Sequence, residues 1–137
     1  MSFPKELLPE ESYQKISFGL TGCQTLEKVL PHFKNKFFVL DASTKPLYHA
    51  LCVVTGNFPQ MLWKTTLEKF KSIQVPSAAV DTYINQVSEN FIHLKNDSLT
   101  GPFVRKDEKT IENNINALSS DERLQNIYKV FFKEFYK

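Results

Sequence analysis

A chain of 137 residues, 42% of them hydrophobic and 13% aromatic, is long enough for one folded domain with a core and too apolar to be disordered. A net charge of +2, with the 17 basic residues scattered among 15 acidic ones, excludes a nucleic-acid-binding polycation. No apolar run reaches the length of a membrane span, and residues 1 to 15 lack the apolar centre of a signal peptide. Cys23 and Cys52 show neither CxxC nor Cys/His metal spacing, so they read as reduced core thiols of an intracellular, cytoplasmic protein with no bound metal.

Met1 to Tyr13, with Phe3-Pro4 and Leu7-Leu8-Pro9 among charges, reads as an extended lead-in. Gln14 to Leu20 alternates, placing Ile16, Phe18 and Leu20 on one side, and predicts a short strand. Gly22 ends it. Cys23 to Phe33 then has helical spacing through Leu26, Val29, Leu30 and Phe33, and the apolar pentad Lys36 to Leu40 predicts a second strand buried on both faces. Strand, helix and strand make a βαβ-like unit, and two strands alone are a poor sheet, so this unit reads as the end of a larger one.

The region from Ser43 to Ile73 dominates the rest. Ser43 or Thr44 caps it, and Pro46 sits in the first turn, where a missing N–H costs no helical hydrogen bond. Leu47, Ala50, Leu51, Val54, Phe58, Met61 and Leu62 recur at helical spacing, and Cys52 and Val53 carry apolar character around the cylinder. This predicts a long, largely buried helix in the middle of a bundle. Gly56 lowers helix propensity and Pro59 cannot donate to the carbonyl of Thr55, so a kink is expected between them. In an apolar helix the informative residues are His49, Thr55 and Asn57, which need partners or a function. His49 and Asn57 are about 12 Å apart along the axis and roughly 80° apart around it, too far to meet on one atom but able to line one groove with Val53 between them.

Pro76 opens a further helix over 77–94. Lys95 to Pro102 is a loop, after which either Thr100 caps a helix with Pro102 in its first turn or Asp107 caps one starting at Glu108. Ile111, Ile115 and Leu118 form a core stripe, with Asn113, Asn114 and Asn116 facing elsewhere. Ser119 or Ser120 caps a last helix whose Leu124, Ile127, Tyr128, Phe131, Phe132 and Phe135 make a wide apolar surface, fit for a second subunit. His32 and His93 read as surface residues. GxGxxG, Walker, HExxH and GxSxG motifs are all missing. Each of the remaining polar candidates has a plain structural reading: His49 bonded within a bundle, Asn57 satisfying a group disturbed by Pro59, Arg105 and Asp107 paired across a loop.

Two segments, Tyr48-His49-Ala50 followed by Gly56-Asn57, and Leu99-Thr100-Gly101-Pro102 with Arg105 and Asp107, resemble the signature segments of a family in which a Rossmann-like NADP-binding domain precedes a helical C-terminal domain of unknown function. That family is similar to 6-phosphogluconate dehydrogenase, pyrroline-5-carboxylate reductase and deazaflavin-dependent NADP oxidoreductases. Met1-Ser2-Phe3 is similar to the close of its dinucleotide-binding half. This chain departs from the pattern at Lys45, usually Arg, at Gly56, usually Ser, and at Thr21-Gly22-Cys23, where an acid, a glycine and an aspartate are usual.

The resemblance implies a mainly α fold, with residues 1–42 as the lead-in and the strand-helix-strand remnant of a Rossmann-type sheet and residues 43–137 as an all-α bundle of the 6-phosphogluconate dehydrogenase C-terminal type. It implies substrate-binding candidates Lys45, Tyr48, His49, Asn57, Thr100, Gly101, Pro102, Arg105 and Asp107. His49 and Asn57 would orient a small polar substrate and Arg105 would hold an anionic group. NADP is implied for the full-length family, while this chain alone is expected to bind no cofactor. The expected partners are a second copy, in a homodimer, and an upstream Rossmann-like domain. A helical module that only oligomerises or binds a partner is the alternative.

Overall fold

The computed structural model describes residues 5–27 and 30–136, so Met1-Ser2-Phe3 and Val29 lie outside the described residues. By its internal contacts the chain divides into two compact units, Met1–Val75 and Pro76–Lys137.

In the first unit the lead-in is not wholly extended. Pro9, at φ −55° and ψ 146°, starts helix α1, Glu10–Gln14, whose first-turn acids Glu10 and Glu11 suit the positive end of the helix dipole. The expected strand from Gln14 is therefore shortened to β1, Phe18–Leu20. β1 pairs in parallel with β2, Phe37–Val39, in the register Phe18 to Phe37, Gly19 to Phe38 and Leu20 to Val39. The amide of Asn35 ties the two approaches together, donating to the carbonyls of Tyr13 (2.6 Å) and Ile16 (2.9 Å). Ile16 and Leu20 are buried, as their alternation predicts, but Phe18, expected on the same side, is exposed.

Three further expectations for this region fail. Between the strands the described residues form turns instead of the helix expected over Cys23 to Phe33, with single bonds from Leu30 N to Leu26 O and from Phe33 N to Leu30 O. Thr25 Oγ1 accepts from the Glu27 amide, a local bond that competes with helix formation. Phe37, Phe38 and Val39 are also exposed, because the sheet has only two strands among the described residues and neither face is fully covered. Cys23 is exposed, so it is not a core thiol.

Asp41, not Ser43 or Thr44, supplies the side-chain cap of the long helical region. Its Oδ1 accepts from the Ser43 amide and hydroxyl, both at 2.8 Å, over a single 3-10 turn, Ala42–Thr44. Helix α2, Lys45–Cys52, follows with Pro46 in its first turn, then a π-helical turn, Val53–Asn57, and helix α3, Phe58–Ser72. The expected continuous helix is present, but no residue of α2, the π turn or α3 is buried, so the expectation of a largely buried helix fails.

In the second unit, α4 spans Ser77–Leu94, as its periodicity predicts, and buries Val80. Of the two alternatives for the next start signal, the Asp107 cap is realised as expected, whereas the helix with Pro102 in its first turn forms with Gly101, not Thr100, at its cap. Gly101, at φ 99°, leads into the four-residue α5, Pro102–Arg105, without a side-chain bond from Thr100, and Asp107 caps α6, Glu108–Ala117. Asp121 caps α7, Glu122–Phe135, by accepting from the Leu124 amide, which displaces Ser119 and Ser120 from that role. Ile111, 2% exposed, and Leu124 anchor this core. Asn114 faces inward, where its amide donates to the Tyr128 hydroxyl (3.0 Å). The α7 face divides: Tyr128 and Phe132 pack on Phe103, while Phe131 and Phe135 remain exposed.

Candidate functional site

The site grows from one missing hydrogen atom. Pro59 has no N–H for the Thr55 carbonyl, and in a regular α-helix its ring would press on that same carbonyl. The chain opens the turn instead: the Phe58 N–H donates to the Val53 carbonyl, five residues back, and the helix resumes as α3. The expected kink is thus a π turn, a form that recurs at functional sites. Gln60 Nε2 donates to the Gly56 carbonyl at 3.1 Å, so the carbonyl beside the disturbance is satisfied by Gln60 and not by Asn57.

A groove of about 750 Å³ lies along this turn, lined among others by Tyr48, His49, Cys52, Thr55 and Asn57. His49 and Asn57 share it, with Val53 in the lining between them. Tyr48 stands edge-on to Phe38 of β2, with ring centroids 5.7 Å apart, which fixes the start of the groove against the sheet. The neighbouring Cys52 thiol, one turn on, pushes the tyrosine above its usual pKa, chiefly through hydrogen bonding and then through charge. The side chains of His49, Thr55 and Asn57 have no hydrogen-bond partner among the described residues.

Lys45 lies in the first turn of α2, outside the lining of the groove. Thr100, Gly101, Pro102, Arg105 and Asp107 belong to the second unit. There Gly101 and Pro102 start α5, and Arg105 ends it. Asp107 is occupied by capping: its two carboxylate oxygens accept from Thr110, the amide at 3.0 Å and the hydroxyl at 2.7 Å. Those bonds hold its pKa below the usual carboxylate value; burial opposes them, and the Arg105 charge adds a smaller lowering. The expected loop pair is therefore chiefly a helix cap.

A second cavity, about 510 Å³, opens at the carboxyl ends of β1 and β2 and is lined by Gly22, Cys23, Gln24 and Asp41 among others. It is invisible to periodicity because it depends on the parallel pairing of two distant strands. None of the chain's four glycines opens a long helix after a strand, so the described residues do not form a cradle for a dinucleotide's phosphates. Among the described residues no group of three or more His, Cys, Asp or Glu could hold a metal, and no helix is long and apolar enough to cross a membrane.

No functionally curated protein matches the chain. Solved structures share its fold, among them the following two. One is a candidate NADP oxidoreductase from Bacteroides fragilis, 22% identical, with a TM-score of 0.70 over 81% of this chain and 43% of that one. The other is a protein from Thermotoga maritima, 24% identical, with a TM-score of 0.74 over 90% of this chain and 53% of that one. The chain thus spans about half the length of the structures it matches. Over residues 17–134 it matches the family described as a domain of unknown function, DUF2520, and it belongs to that family.

Proposed function

We propose that this chain is the C-terminal helical portion of an NADP-dependent oxidoreductase, forming the substrate cleft and a homodimer interface while a separate Rossmann-like domain holds the dinucleotide. The observation that carries this reading is the π-turn groove, where His49 and Asn57 line one cavity without internal partners. Hydride transfer relies on positioning more than on a protein nucleophile, because the cofactor supplies the reactive chemistry. Tyr48, His49 and Asn57 would bind and orient a small polar substrate. Lys45 and the second-unit residues Thr100, Gly101, Pro102, Arg105 and Asp107 are secondary candidates, with Arg105 available to an anionic group. A cytoplasmic location belongs to the same proposal.

The test joins the chain to the dinucleotide-binding domain that this reading requires. His49→Ala and Asn57→Ala should each lower kcat/KM for NADPH-dependent reduction by about tenfold or more while leaving NADPH affinity unchanged. Unchanged turnover in both variants overturns the reading. The chain alone should bind NADPH negligibly in calorimetry, and tight binding would move the cofactor site into this chain.

A second reading, a non-enzymatic oligomerisation or partner-binding module, is favoured by the apolar side chains left uncovered. Leu47, Leu51, Val54, Phe58 and Met61 along α2 and α3, and Phe131 and Phe135 on α7, are each more than two-fifths exposed. The homodimer is common to both readings. Light scattering at micromolar concentration should give twice the monomer mass, and Phe131→Glu with Phe135→Glu should reduce it to the monomer if α7 forms the interface.

A further inference from the structure

The helical threonines of this chain behave alike, with one exception. Thr65, Thr66 and Thr82 each donate to the carbonyl four residues back, at 2.9 to 3.0 Å, and Thr110 donates to Asp107 at 2.7 Å. Back-bonding of this kind is the ordinary fate of a threonine inside a helix. Thr55, in the π turn, makes no such bond among the described residues, and its side chain lines the groove together with the equally unbonded amide of Asn57. The turn that removes one backbone donor thus leaves a hydroxyl and an amide two residues apart and free to bond a ligand. Among the described residues no Asp, Glu, Lys or Arg lines the groove, while Leu51 and Val53 supply apolar surface. A cation bound there would meet no carboxylate and an anion no lysine or arginine, only the His49 imidazole, whereas a neutral carbonyl or hydroxyl could trade its bonds to water for bonds to Thr55 and Asn57.

We propose that the π-turn groove recognises an uncharged, oxygen-bearing group on a small apolar body, and that Thr55 is a ligand-contacting residue that sets this preference. The inference rests on reading the groove as the substrate cleft. It extends that reading by naming the class of group bound and by adding Thr55 to the residues that contact it.

Three probes with the same six-membered ring test it: cyclohexanone, cyclohexanecarboxylate and cyclohexylammonium. Each is titrated into the isotope-labelled full chain while the backbone amide signals of Thr55, Gly56 and Asn57 are followed by NMR. Cyclohexanone should shift these signals saturably and bind more tightly than either charged probe. Thr55→Val, which keeps the side-chain shape and removes the hydroxyl, should weaken the ketone by about three- to tenfold, the worth of one hydrogen bond, and Thr55→Ser should restore it. A spectrum unchanged away from the groove establishes that the variants fold. Preference for a charged probe, indifference of the ketone to Thr55→Val, or no saturable shift with any probe would each overturn the proposal. None of these readouts involves NADPH, so failure of NADPH turnover would count against the oxidoreductase reading and leave this titration to decide the groove's chemistry.

Discussion

Gly56→Ala is the substitution that most directly probes the π turn. Gly56 has no positive φ, and a Cβ built on its backbone meets nothing within 4 Å. Neither strain nor collision opposes the change. What remains is the backbone freedom that glycine retains in the unfolded chain and alanine does not, worth up to about 1 kcal/mol at a helical position. With a urea dependence of about 2 kcal/mol per molar, a reasonable value for a chain of this size, the unfolding midpoint should rise by about 0.5 M with an unchanged slope. Trp63, the single tryptophan and a residue of α3, reports on the same unit by fluorescence. A lowered midpoint would refute the reasoning. It would mean that a surface absent from this single chain, such as a second copy, approaches Gly56 closely.

Two further outcomes follow from the same geometry. Gly19→Ala should destabilise the first unit by about 1 kcal/mol or more, because its Cβ would stand 2.9 Å from Leu40 Cδ1 and 3.2 Å from the Phe38 ring; an unchanged urea midpoint would show that Leu40 yields freely. Asp107 has a folded pKa below its unfolded value, so its contribution to stability is present above the unfolded pKa of about 3.9 and is lost as pH falls through the folded pKa. The gap in urea midpoint between the parent chain and Asp107→Asn should therefore narrow between pH 6 and pH 3, and a constant gap would show that the capping carboxylate does not titrate as its bonds to Thr110 require.

Local signals in the sequence carried much of the fold. The helix expected over 77–94 after Pro76 matches the observed span of α4, because helical spacing and a proline start are properties of neighbouring residues. Asp107 before Glu108 and the Gly56 to Pro59 interruption were legible for the same reason. Tertiary structure decided what depends on distant partners. The segment after Cys23 has helical spacing, yet its described residues form turns between two paired strands, and Asn35 anchors that arrangement through carbonyls about twenty residues away. The apolar residues of α2 and α3 specify a helix that seeks cover, but periodicity does not say whose surface provides it, and no residue of either helix is fully buried. Likewise the sequence marks a break at Pro59, while only the folded backbone decides that it becomes a π turn with its five-residue hydrogen bond. That choice, set by where the Phe58 N–H finds an acceptor, leaves Thr55 and Asn57 lining the groove without internal partners.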